Sequence, residues 1–177
     1  ANDANMSIVD AERISAAGGS IRVFMKIGKH KASARVAELI KEEELLGLYS
    51  TKALREFGER IIMAKNDLLA LLLKVKKTGA TIAGISSPAR SNTLLGFTKI
   101  STHLVSYAGE KHGSPKIGLY TPGTHIPVYD EDTIFKEQPE YALLLSWHIG
   151  EELMKIYRKL GYKGKFIMLL PKPRVIK

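Results

Sequence analysis

The sequence predicts an α/β protein: a Rossmann-like, open and mostly parallel sheet with flanking helices, preceded by a β-hairpin and two helices. Three observations carry that reading. From residue 80 onward, short β-like runs alternate with helical stretches, which is the order of βαβ units and right-handed crossovers. One of those runs, "YALLLSW", has an unbroken apolar centre, as expected of a strand covered on both faces. Before residue 80 the pattern differs, with two β-like runs around a glycine turn and then two helical periodicities.

In chain order, "ERISAAGGSIRVFMKIG" holds the paired β-like runs, separated by Ala-Ala-Gly-Gly, and so reads as a hairpin or a strand with a glycine turn. Two strands alone are marginally stable, which points to a hairpin drawn from a larger sheet. Residues 32–48 read as a helix with Val36, Leu39, Ile40 and Leu46 inward and Gly47 near its end. A second helix follows, capped by Ser50 or Thr51 and stopped by Gly79. Along it Leu54, Phe57, Ile61, Ala64, Leu68, Leu71 and Val75 alternate at steps of three and four. That seam permits a coiled-coil dimer, but Leu69, Leu72 and Leu73 broaden it, which favours packing inside its own domain.

The α/β part then predicts strands at "ATIAGIS", "HLVSYA", "HIPVYD", "YALLLSW" and "KFIMLL", the last ended by Pro171 and Pro173. Helices are predicted over residues 92–100 and 149–160. The domain division expected from this reading is 1–31, 32–79 and 80–177.

Composition narrows the function. The 177 residues, 45% of them hydrophobic and 25% charged, suffice for one substantial core or for one domain with an appended piece. The longest apolar runs are far short of the roughly 20 residues that span a bilayer. The start lacks a basic segment followed by an apolar one, so the chain reads as soluble and cytoplasmic. With no cysteine there is neither a disulfide frame nor a thiolate metal site, and the five histidines show no paired ligand spacing, so no metal is expected. The net charge of +9 divides into +4 over residues 1–78 and +5 over 79–177. That division argues against nucleic acid as a partner and leaves a solvated basic surface or a compact anionic ligand such as a nucleoside diphosphate.

Candidate site residues follow from where ligands sit in such sheets, beyond the carboxyl ends of the strands. In "GISSPARSNTLLGF", Ser86, Ser87, Arg90, Ser91, Asn92 and Thr93 surround a helix start, where Pro88 favours a turn and Ser91 or Asn92 suits the N-cap. Free amides and a guanidinium there would take an anion; the plain alternative is a capped turn. "LYTPGTHIPVYD" has a Pro-Gly pair that specifies a type II turn, with Thr121, Gly123 and Thr124 around it. "SWHIGEEL" places Trp147 and His148 after the fourth strand, where an indole can stack on a base and an imidazole can work near neutral pH. No Ser-His-Asp order, paired-carboxylate cleft or spaced-glycine fingerprint is present, so the residues alone describe a binding domain with an anion preference, and no catalytic residue is assigned.

Five blocks in order, "AAGGSIRVF", "IAGISSPARSNTLLGF", "KIGLYTPGTHIPVYDED", "PEYALLLSWHIGEEL" and "GKFIMLLPKPRVI", resemble the C-terminal portion of the S-adenosylmethionine-dependent sugar C-methyltransferases. The resemblance covers nearly the whole chain. It implies the substrate-binding, nucleotide-sugar-holding portion of such a methyltransferase, with residues 1–31 a hairpin left from a central methyl-transfer domain and residues 32–79 a connector. S-adenosylmethionine would belong to the full-length enzyme and is not expected to bind this chain, which alone would not be catalytically competent. The implied partners are a nucleotide-linked sugar and the central domain. Ala17 stands where the family commonly has a histidine, and His148 where it commonly has an asparagine. A non-catalytic oligomerisation module with a degenerate ligand site is the alternative.

Overall fold

The computed structural model describes residues 1–177, apart from the side chain of Asn2. The chain divides into two compact units, Ala1–Arg60 and Ile61–Lys177.

In the first unit, β1 (Met6–Ile14) and β2 (Ser20–Ile27) form the expected hairpin, though β1 begins six residues ahead of the stretch singled out in the sequence. Ala17, Gly18 and Gly19 turn the chain with φ values of 55°, 86° and 123°, and two glycines make that run of positive φ tolerable. A bulge between Ile8 and Asp10 interrupts the register. At this bulge the Val9 carbonyl accepts the Ser33 N–H at 2.9 Å, and the Asp10 carboxylate accepts Ser33 Oγ at 2.6 Å and the Arg35 guanidinium. These bonds pin the start of α1 (Ala34–Leu45) to the hairpin. Every residue of β2 is exposed, including Ile21, Val23, Phe24 and Met25, so the hairpin lacks a cover for its apolar side chains.

Ser50 caps α2 (Thr51–Lys76), its Oγ accepting the Ala53 N–H at 3.1 Å. The expected inner stripe is realised in part. Leu68 and Val75 are buried and Leu72 is fully so, whereas Leu54, Phe57 and Ile61 remain exposed.

The second unit carries a six-stranded sheet in the order β5-β4-β3-β6-β7-β8. Its strands are β3 (Ile82–Ile85), β4 (Tyr107–Glu110), β5 (Val128–Asp130), β6 (Tyr141–Leu144), β7 (Lys165–Met168) and β8 (Arg174–Ile176). All pairings are parallel except β7 with β8. The period of two divides the core cleanly. Ile82, Leu143 and Ile167 face the end of α2 and Leu95 of α3 (Ala89–Thr98). Ala83, Ile85, Leu144 and Phe166 face Ile134 of α4 (Asp132–Glu137) and Tyr157 of α5 (Gly150–Lys159). The predicted fold class holds, and "YALLLSW" is buried on both sides as expected.

Three local expectations are corrected. The second strand is residues 107–110 rather than 103–108; Leu104 and Val105 enter the core from a turn, so their burial does not require a ladder. α3 starts at Ala89 with Pro88 at the N-cap position, because Ser91 Oγ turns back to donate to the Pro88 carbonyl at 2.7 Å instead of capping from ahead. After Pro171 and Pro173 the chain returns as the antiparallel strand β8.

Candidate functional site

The strand order reverses between β3 and β6, since β4 and β5 lie on one side of β3 and β6, β7 and β8 on the other. Loops leaving the carboxyl ends of these two neighbours part in opposite directions and open a crevice. The loop after β3 carries Ser86 to Pro88 and leads into the first turn of α3, which holds Arg90 to Asn92, and the segment after β6 carries Trp147 and His148.

The β3 loop is built rigidly. Ser86 has φ of 67°, a strained value for a residue with a side chain, and its N–H donates to the Gly109 carbonyl at 2.7 Å. Ser87 is buried. Its N–H donates to Glu110 Oε2 at 3.0 Å, and its carbonyl accepts Lys116 Nζ at 2.9 Å. Lys116 also donates to Glu110 Oε2 at 3.0 Å, and the Lys111 N–H reaches Glu110 Oε1 at 3.2 Å. A nearly buried carboxylate and one ammonium thus fix both backbone groups of Ser87. α4 can pack closely on β4 because Gly109 has no side chain; an added Cβ would lie 2.5 Å from Ile134 Cδ1.

The sequence-predicted residues fall into two groups. Ser87 and Ser91 are engaged within the loop as described. Thr121 and Thr124 are buried with their hydroxyls 2.7 Å apart, and Thr121 Oγ1 accepts the Ile126 N–H at 2.9 Å, while Gly123 takes φ of 71° in the Pro-Gly turn. Those side chains shape turns. Arg90, Thr93 and Trp147, by contrast, line one groove of about 470 Å³ with Lys65 and Leu68 of α2 and with Leu94, Phe97 and Leu170. Lys65 Nζ sits 4.8 Å over the Phe97 ring.

Asn92 Oδ1 and His148 Nδ1 are buried atoms with no hydrogen-bond partner among the described residues. Such atoms are uncommon in native interiors and mark places where a ligand or water belongs. Burial, and then the charge of Arg90, hold the His148 imidazole below its ordinary pKa, so it is neutral at pH 7. Its ring meets Trp147 edge-on at 6.3 Å. Neither Asn92 nor His148 lines the groove, which itself offers two cations, Arg90 and Lys65, and an indole, an arrangement that suits a ligand with an anionic part and a flat or apolar part.

Sequence reasoning missed Lys65, Glu110 and Lys116. Lys65 stands three residues before Leu68 on the buried face of α2, a cation inside an apolar stripe. Glu110 ends the strand "YAGE", where an inward carboxylate is unusual, but nothing in the spacing pairs it with Lys116.

A mostly parallel sheet with helices on both faces and its order reversed at one crevice defines a Rossmann-like α/β domain. More particularly, the chain belongs to the C-methyltransferase C-terminal domain family, whose model matches residues 15–171. It is similar to the C-methyltransferase NovU of Streptomyces niveus, with 29% identity over 174 residues, 97% of this chain and 41% of NovU. The chain therefore spans well under half the length of that relative. The family resemblance carried by the five sequence blocks is borne out, and no helix of the described residues is long and apolar enough to cross a membrane.

Proposed function

We propose that this chain is the substrate-holding, C-terminal portion of an S-adenosylmethionine-dependent C-methyltransferase, and that its crevice binds a nucleotide-linked sugar. The observation that supports the reading is the meeting of Arg90 and Trp147 in one groove, with unsatisfied buried atoms on Asn92 and His148 close by in the sequence. Arg90 and the first turn of α3, with Ser86, Asn92 and Thr93, take the diphosphate. Trp147 stacks on a ring and His148 accepts or donates one hydrogen bond to a hydroxyl. Ser87, Ser91, Thr121, Gly123 and Thr124 hold the surrounding turns. S-adenosylmethionine is bound by a central methyl-transfer domain, which also covers the exposed apolar side chains of the hairpin, and the complete enzyme works in the cytoplasm.

Calorimetric titration with thymidine diphosphate tests the site. Arg90→Ala weakens binding roughly 10- to 100-fold, the loss of one or two charge-assisted bonds, while Arg90→Lys recovers part of it. Equal affinity of wild type and Arg90→Ala overturns the phosphate role. A second reading, self-association through α2, is favoured by the exposure of Leu54, Phe57 and Ile61. It requires that Ile61→Asp convert a folded dimer into a folded monomer in sedimentation.

A further inference from the structure

The positive charge is less evenly distributed than its division at residue 78 suggests. Residues 151–177 hold eight basic and two acidic side chains, an excess of six out of the net +9. Four of these cations, Lys155, Arg158, Lys159 and Lys177, line one groove of about 610 Å³ between α5 and β8. Its floor is apolar, formed by Met154, Phe166 and Ile176, with Glu151 as its one acidic lining residue. Lys155, Arg158 and Lys159 are three and four residues apart and therefore share a helix face. Arg158 is held in place, its guanidinium 4.6 Å from the Phe166 ring and its Nη1 donating to the Tyr162 carbonyl at 2.7 Å. The groove runs beside β8, the last strand of the sheet, whose outer edge pairs with no further strand among the described residues.

We propose that this groove docks an extended acidic segment of a partner protein, added alongside β8 as a further antiparallel or parallel strand. A strand sends alternate side chains to opposite faces. One row would lay apolar and acidic groups over the Met154–Ile176 floor and its cationic rim, while the main chain bonds to the open edge of β8. The chemistry favours a peptide over nucleic acid, because the aromatic ring in the groove, Phe166, is only 1% exposed and offers no face for base stacking. The site lies away from the crevice at β3 and β6, and it stands or falls independently of the nucleotide-sugar reading. The competing account is that the cations only protect an open edge from pairing.

The probe is a fluorescein-labelled octapeptide of alternating Glu and Val, titrated into the full chain by fluorescence anisotropy at low and at physiological salt. Saturable binding is expected, with slowed amide exchange at residues 174–176 when the peptide is bound. The exposed pair Lys155→Glu and Lys159→Glu, made together and checked by circular dichroism, weakens binding about tenfold or more. The control pair Lys29→Glu and Lys31→Glu, which changes net charge equally, leaves it within about twofold. Equal loss in both double variants, no protection at β8, or no saturable binding overturns the proposal. Displacement of the peptide by an oligonucleotide or by anionic vesicles at lower charge concentration also overturns it, in favour of a nucleic-acid or membrane surface.

Discussion

Removing the ammonium of Lys116 while keeping its stem, as in Lys116→Met, leaves the Glu110 carboxylate with the Ser87 and Lys111 amides as its remaining donors. Breaking a fully buried pair costs about 3–5 kcal/mol, but a half-exposed partner is screened by water. Here the Glu110 side chain is 10% exposed and that of Lys116 46%, which places the cost near 1–2 kcal/mol. Glu110→Gln keeps an acceptor for Ser87 and costs a similar amount. The double variant is less damaged than the sum, with a coupling of about 1 kcal/mol, because each single change strands the other group. Urea unfolding followed by the fluorescence of Trp147, the one tryptophan of the chain, measures all four corners of the cycle. Since the pair fixes the loop that leads into the first turn of α3, where Arg90 lies, Lys116→Met also weakens thymidine diphosphate several-fold although Arg90 is kept. If the two changes add to within about 0.3 kcal/mol, the pair is a screened surface contact and does not clamp the loop.

Gly109→Ala drives a Cβ into Ile134 and destabilises the second unit by about 1–3 kcal/mol, read as a lower thermal midpoint. Hydrogen bonds from Arg35, then from Ser33, hold Asp10 below its ordinary pKa of 3.8. The unfolded chain therefore binds this proton first as the pH falls. The stability that Asp10 lends above 3.8 is lost as the pH drops through its lower folded value, and Asp10→Asn removes it at every pH, with faster amide exchange at Ser33 as the readout. For His148, the unfolded imidazole protonates near 6.5 while the folded one resists to lower pH. Stability consequently falls as the pH is lowered through that window, and thermal melts of His148→Asn show a shallower fall than wild type.

The legible parts of the fold were those where one physical signal dominates. The unbroken apolar run of β6 and the glycine turn of the hairpin fall into this class. α4 was not read because six residues carry too little periodicity, and β8 because two prolines imply an end where the chain in fact turns back. That Arg90 and Trp147 come to one groove was legible because a cation at a helix start and an indole after a neighbouring strand follow from topology alone. Thr121 and Thr124 bond within their own turn, and a hydroxyl that does so looks in sequence like one that faces a ligand. Glu110 and Lys116 meet through tertiary geometry that no local spacing encodes.

The strand order also dictates a schedule for the nascent chain. β3 lies in the middle of the sheet and takes β4 as its neighbour within about 25 residues of synthesis, yet its other neighbour begins at Tyr141, which pairs with Ile82. At the usual 5–20 residues per second, the ribosome needs about 3–12 s to deliver that partner. Throughout this interval the edge of β3 destined for β6 stands open, with Ile82 and Ile85 short of their final cover. Slowing translation between residues 86 and 140 lengthens that exposure and raises the demand for chaperones, whereas slow codons after residue 170 come too late to matter to the centre of the sheet.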